Sequence, residues 1–215
     1  MREGCDTSRP AAPRLKICGV GGPGFAERAV SLGADYIGLI FAPESPRCVT
    51  VAAAKSVVEA VAGRARCVGV FSRTDVAKAA EIAREAGLDA LQLHWKAGAD
   101  EVAAAKAAGF EVWTLAGGAD ADAMLFDSSH GDGERELRRG PWLSVLAGGI
   151  GEANLASALA MRPDVIDVSG SLEEERGVKS VRLLESFAAE WRRETGKLIF
   201  QRRQQKEREE CSCLS

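Results

Sequence analysis

The sequence predicts an α/β protein built as a single (β/α)₈ barrel. Short apolar runs alternate with segments of helical period at roughly 20–25 residues per unit, the pattern of a parallel sheet with right-handed crossovers. Eight such apolar runs can be counted, the number that closes a barrel. The seventh and eighth run out into Gly148-Gly149 and Ser169-Gly170-Ser171, the two turns where barrels of this architecture often hold phosphate. The rival is a doubly wound open sheet, which needs no fixed number of units.

In chain order, residues 15–18 (LKIC) read as the first strand and 25–32 (FAERAVSL) as a short helix stopped by Gly33. Residues 35–41 (DYIGLIF) are nearly continuous apolar chain, as expected for a strand covered on both faces. An Ala/Val-rich helix over 51–62 leads to a third strand at 66–71, RCVGVF. The segment 75–86 has helical period, an acidic start and Gly87 as its stop, and 89–93 (DALQL) is the fourth strand. A helix at 100–108 precedes the fifth strand at 110–115. The sixth, at 123–126, ends on Asp127. Residues 128–140 are polar with at most a turn or two of helix. Residues 142–147 (WLSVLA) form the seventh strand, 153–161 a helix, 165–168 the eighth strand and 181–193 a closing amphipathic helix. This organisation gives a flexible lead-in at 1–13, a barrel domain at 14–194 and a charged, flexible extension at 195–215.

A chain of 215 residues can bury one sizeable core, and 46% hydrophobic with 27% charged residues is ordinary for a soluble enzyme. The net charge of −3 offers no basic face for nucleic acid. No stretch reaches the ~18 apolar residues of a membrane helix, and the N-terminus has no signal-like apolar core, so a cytoplasmic protein is expected. The six cysteines show no CxxC pair and no zinc-ligand spacing, which indicates reduced thiols and no metal site. In the tail, Leu198, Ile199 and Phe200 form an apolar cluster that would suit a partner-binding helix, if the segment is more than a solvated extension.

Candidate chemistry lies at strand ends, because those side chains face a barrel's active-site mouth. Cys18 ends the first strand, Arg47 follows the second, Gln92 and His94 lie near the end of the fourth, and Asp127 ends the sixth. Cys18 is either a buried small side chain or a base, since a nearby cation raises a thiol's thiolate fraction. Asp127 is either a helix cap or a general acid. His94 reads equally as an ordinary loop histidine. Glycines at 148, 149 and 170 let the backbone approach a phosphate, and the hydroxyls of Ser169 and Ser171 would add donors.

Several motifs together resemble phosphoribosylanthranilate isomerase. They are LKICG at 15–19, GADYIGLIFAPESPRCV at 33–49, VGVF at 68–71, GLDALQLH at 87–94, LFDS at 125–128, LAGGI at 146–150 and GVKSVRLLESF at 177–187. They follow that family's order over about residues 14–193. The resemblance implies a ribulose-phosphate-binding barrel in tryptophan biosynthesis, performing the Amadori rearrangement of N-(5-phosphoribosyl)anthranilate with no metal or organic cofactor. By resemblance, Asp127 is the general acid that opens the sugar ring and Cys18 the general base that removes the C2′ proton. Arg47 would steady the anthranilate, with Gln92 and His94 also at the substrate. Gly148, Gly149, Ser169, Gly170 and Ser171 would hold the phosphate. The implied partner is a small phosphorylated substrate. A monomer or homodimer is expected, with other tryptophan-pathway enzymes as further candidate partners.

The chain departs from the family pattern at Thr114, often Lys, and at Trp95, usually Gly. It departs again after Asp127, where only Trp142 is kept. A related phosphosugar barrel with a different substrate, or a non-catalytic phosphate-ligand-binding barrel, are the alternatives.

Overall fold

The computed structural model describes residues 12–72, 74–128 and 137–212, with side chains described to residue 197. Eight parallel strands close on themselves: β1 (Arg14–Cys18), β2 (Tyr36–Ile40), β3 (Arg66–Phe71), β4 (Ala90–Leu93), β5 (Glu111–Leu115), β6 (Ala123–Asp127), β7 (Leu143–Ala147) and β8 (Val165–Val168). The closure is the pairing of β1 with β8, Lys16 opposite Asp167, and it rules out the open sheet. The helices are α1 (Pro23–Ser31), α2 (Val51–Val61), α3 (Val76–Ala86), α4 (Ala99–Ala107), α5 (Leu155–Ala160) and α6 (Val181–Ser212).

The strand sequences sort into two layers because successive side chains point to opposite faces. Leu15, Ile17, Ile37, Leu39, Leu91 and Leu93 belong to the outer layer packed under the helices. The alternate set, including Tyr36, Val68, Trp113, Leu125 and Val165, fills the barrel. Tyr36 meets Trp113 edge-on there, ring centroids 5.0 Å apart. Helix starts follow local chemistry: the Thr50 hydroxyl accepts from the Ala53 N–H at α2, and the Asp75 carboxylate from Ala77 and Lys78 at α3. Gly87 ends α3 in the left-handed conformation, φ +76°, which costs glycine least.

At the N-terminal face an aspartate stands immediately before each even-numbered strand. Asp35, Asp89, Asp122 and Asp164 accept from the backbone N–H of Leu15, Cys67, Val112 and Ser144 at 2.7–2.8 Å. Each also donates its own N–H to the carbonyl of that same residue. This two-point clasp, repeated four times, locks each odd strand to the next even one.

Several elements differ from expectation. The helix expected at 153–161 is split into a one-turn 3₁₀ segment at Glu152–Asn154 and the short α5. Asn154 causes the break: its side chain accepts from Gly151 N–H and donates to the Gly149 carbonyl, tying the turn back on itself. Residues 116–122 connect β5 to β6 with turns alone. A hairpin, β9 (Glu173–Glu175) with β10 (Val178–Lys179), follows β8 and carries no apolar alternation by which to foresee it. The last helix does not end at Arg193 but continues to Ser212. Its inner end is anchored by buried Phe187 and Trp191. Beyond Gly196 the chain consists largely of Gln, Arg, Lys and Glu, all good helix formers. Residues 1–11 of the lead-in and 129–136 of the altered stretch after Asp127 lie outside the described residues.

Candidate active site

On β1 the two-residue period that sends Leu15 and Ile17 outward sends Lys16 and Cys18 inward, with Cys18 nearer the C-terminal mouth. Cys18 is buried. Its sulfur occupies the space that a side chain on Gly38, its β2 partner, would need: a Cβ there would lie 2.8 Å from Sγ. Burial pushes the thiol pKa up, while the charges of Lys16 and Lys179 pull against it and that of Asp167 adds to the rise.

Below the thiol, Lys16 is wholly inaccessible to solvent. Its ammonium pairs with Asp167 Oδ2 at 2.5 Å and donates to Gln92 Oε1 at 2.9 Å. Burial opposes its charge, but Asp167 and Cys18 outweigh burial, and its pKa lies above the ordinary lysine value. Gln92 is itself buried, and its amide nitrogen lies 3.4 Å from His94 Nδ1. Gln92 therefore spends both ends of its amide inside the protein. It links the Lys16 ammonium to His94 at the floor of the mouth.

Across the mouth, three strands from β1 by way of β8 and β7, Asp127 ends β6. Its Oδ2 stands 4.0 Å from His94 Nε2. Gly148 packs against it: a Cβ there would come within 2.7 Å of Asp127 Oδ1 and 2.6 Å of Ser128 N. Gly148 and Gly149 adopt φ of +94° and +64°, the left-handed region.

Arg47 crosses the mouth from the β2 side, passing over Gly19, where a Cβ would lie 2.7 Å from its Cδ. Its Nε and Nη2 grip Glu173 in a fork, at 2.6 and 2.7 Å. Glu173 also accepts from Lys179 at 2.8 Å and from the Gly177 N–H at 3.0 Å. Burial alone would raise the Glu173 pKa. The donors from Arg47, Lys179 and Gly177 reverse that and hold it at about 2. Lys179 is lowered from its ordinary value, chiefly by burial.

The serines of the expected phosphate loop are already committed. Ser169 Oγ donates to the Cys18 carbonyl and accepts from Lys179, and Ser171 Oγ donates to the Ile150 carbonyl at 2.6 Å. A hydroxyl has one proton to give. These two stitch the β8 turn to β1 and to the β7 turn. Gly170 lies beside Arg47, so the turn after β8 is shared between the Arg47 side and the Gly148-Gly149 side of the mouth. Thr114 does not line the mouth. It faces outward and fixes the loop after β4, donating to the Trp95 carbonyl and accepting from Ala97 N–H.

Sequence reading missed Lys16, Asp167, Glu173 and Lys179. The first was findable, because it sits two residues before Cys18 on one strand face. The hairpin pair was not. A cavity of about 270 Å³ adjoins Arg47, Gly19 and Gly177. A larger one of about 700 Å³ lies among Arg14, Arg66, Glu111 and Asp122 at the opposite end of the strands, away from this chemistry. Among the described residues no group of three metal-ligating side chains is gathered, and no helix is long and apolar enough to cross a membrane.

The family model for N-(5′-phosphoribosyl)anthranilate (PRA) isomerase matches residues 15–190. The N-(5′-phosphoribosyl)anthranilate isomerase of Hahella chejuensis is 32% identical over 213 residues, covering 87% of this chain and 98% of its own. The solved phosphoribosyl anthranilate isomerase from Thermus thermophilus is 31% identical with a TM-score of 0.71, covering 82% of this chain and 97% of that one. TrpF from Jonesia denitrificans is 28% identical with a TM-score of 0.73, covering 86% and 98%. An inward-facing cysteine and aspartate at a barrel mouth, in a chain matched along nearly its whole barrel, lead to one assignment: this protein belongs to the N-(5′-phosphoribosyl)anthranilate isomerase family.

Proposed function

We propose that the chain isomerises N-(5-phosphoribosyl)anthranilate to 1-(2-carboxyphenylamino)-1-deoxyribulose 5-phosphate in tryptophan biosynthesis, with Asp127 as acid and Cys18 as base. The observation that carries the assignment of roles is the placing of these two side chains on inward faces of β1 and β6, at the same end of one barrel. Asp127 gives a proton to the furanose ring oxygen, and the C1′–O bond breaks to leave a protonated Schiff base. Cys18 takes the C2′ proton, the electron pair of that C–H bond forms the C1′=C2′ double bond, and the C1′=N π pair returns to the nitrogen. The resulting enolamine tautomerises to the ketone. The reaction is internally balanced: C2′ is oxidised and C1′ reduced.

Arg47 offers the anthranilate carboxylate the guanidinium edge that Glu173 does not cover. The phosphate is held by backbone N–H groups of the Gly148-Gly149 and Ser169–Ser171 turns, because both serine hydroxyls already donate within the protein. His94 keeps Asp127 company from the β4 side.

The test is turnover by Cys18→Ala and Asp127→Asn. General acid–base groups contribute roughly 10²–10⁴ in rate, so each variant should lose at least ~100-fold in kcat while its thermal melt remains cooperative. Full activity in either would remove that residue from the mechanism. Rescue of a tryptophan auxotroph blocked at this step by the wild-type chain separates this substrate from another phosphosugar.

A further inference from the structure

We infer that Lys16 is a positioning residue whose buried ammonium, fixed by Asp167 and Gln92 on the strand face it shares with Cys18, supplies a fixed positive charge beside the Cys18 thiolate. The inference deepens the reading of Cys18 as the base and rests on it for its catalytic consequence. A lysine without solvent access is costly unless paired, and this one sits at the centre of a barrel otherwise filled by Tyr36, Trp113 and aliphatic side chains. Its fixings leave little freedom: Asp167 Oδ2 at 2.5 Å, Gln92 Oε1 at 2.9 Å, and the Trp113 ring 5.7 Å away. Lys16 and Cys18 share one face of β1, so the ammonium lies on the sulfur's side of the strand, where its charge favours the thiolate.

The other cations near the thiol are carboxylate-paired, as Lys16 is, but they reach it from loop and hairpin rather than from its own strand. From the hairpin, Lys179 faces Cys18, but its ammonium is spent on Glu173 and Ser169. Arg47, from the β2 side, is neutralised by the same glutamate. Asp167, from β8, opposes ionisation of the thiol, while Asp127 and His94 close the far side of the mouth. Gly38, from β2, supplies space and no charge. Of these three cations Lys16 is the one wholly without solvent access. A thiol this deeply buried has little water to stabilise its thiolate, so a fixed cation matters the more.

The experiment follows Cys18 alone. Full-length wild type, Lys16→Met and the Lys16→Met/Asp167→Asn double variant are alkylated with iodoacetamide from pH 5.5 to 10.5. Each cysteine is quantified by peptide mass spectrometry, and the pH profile of kcat/KM is recorded beside it. The double variant leaves no stranded carboxylate in the barrel, so it tests the idea even where the single variant folds poorly.

In Lys16→Met the alkylation inflection of Cys18 should move up by at least about one pH unit, making alkylation near neutral pH ~10-fold slower. The exposed Cys48 should be unchanged and serves as internal control. In the double variant the rise should be smaller but still upward, because the opposing Asp167 charge is gone as well. The ascending limb of kcat/KM should shift with the thiol. An unmoved or lowered inflection in the folded double variant overturns the inference, and a lowered melting temperature alone would mark Lys16 as purely structural. A shifted inflection combined with full activity of Cys18→Ala would sink the base assignment and leave the tuning of the thiol standing.

Discussion

Gly38 is the position where one methyl group should cost activity more than stability. A Cβ on Gly38 would lie 2.8 Å from Cys18 Sγ and 3.0 Å from Cys18 Cα. Non-bonded heavy atoms prefer about 3.5–4.0 Å, so the overlap with the sulfur is roughly 1 Å. The β1 backbone is held by ladders to both β2 and β8 and cannot retreat freely. The side chain of Cys18 has to swing instead. Overpacking of this kind costs about 1–3 kcal/mol, which for a domain of this size lowers Tm by about 2–10 °C. Moving a reacting group by ~1 Å costs roughly 100-fold in rate, or about 2.7 kcal/mol of transition-state stabilisation. Gly38→Ala should therefore melt cooperatively a few degrees early and lose ~100-fold in kcat/KM. Gly24→Ala is the matched control. It lies in α1 with open space around it, and alanine there should gain up to ~1 kcal/mol with kinetics unchanged. Wild-type turnover by Gly38→Ala at a normal Tm would refute the seating of the sulfur over that glycine.

Asp89→Ala should strand the buried Cys67 N–H and cost about 1–3 kcal/mol in urea melts, with kcat unchanged because the clasp lies at the opposite face. In the turn after β7, Gly148→Ala must both hold φ +94° and meet Asp127 at 2.7 Å, so it should lose activity as well as stability. Gly149→Ala, at φ +64° in open space, should lose only about 1 kcal/mol of stability if its N–H still reaches the phosphate. Glu173→Gln releases Arg47 and removes the anion between two cations, which should raise KM more than it lowers kcat. It also carries a pH signature. The folded pKa of about 2 lies below the ordinary 4.5, so the stabilisation is complete above pH 4.5 and fades as pH falls through 2. The stability gap between wild type and Glu173→Gln should be flat from pH 5 to 8 and close below pH 4.5; a gap that widens in acid would reject the assignment.

Much of the barrel could be read directly because its strands, buried on both faces, are short and nearly continuous apolar runs between polar, helix-period segments. The strand ends followed, and with them the positions of Cys18 and Asp127. What resisted reading shares one physical cause: a partner distant in sequence decides the role. The LKIC run shows a lysine in an apolar strand, but only the β1–β8 closure puts Asp167, 151 residues later, at its ammonium. Ser169 and Ser171 give no sign in the sequence of the Cys18 and Ile150 carbonyls that their hydroxyls meet in the folded turns. Gln92 gives no sign in the sequence of the Lys16 ammonium, 76 residues away, that its carbonyl oxygen meets inside the barrel. The hairpin that brings Glu173 to Arg47 has two short, charged strands that no hydrophobic pattern marks.

By itself the sequence determined the number and order of the barrel strands, and which residues stand at their C-terminal ends. Local periodicity and glycine placement act within a few neighbouring residues and are enough for that. The tertiary structure decided which of those side chains remain available and which are consumed by neighbours. Charge pairing and hydrogen-bond commitment inside a closed barrel depend on residues that only closure brings together.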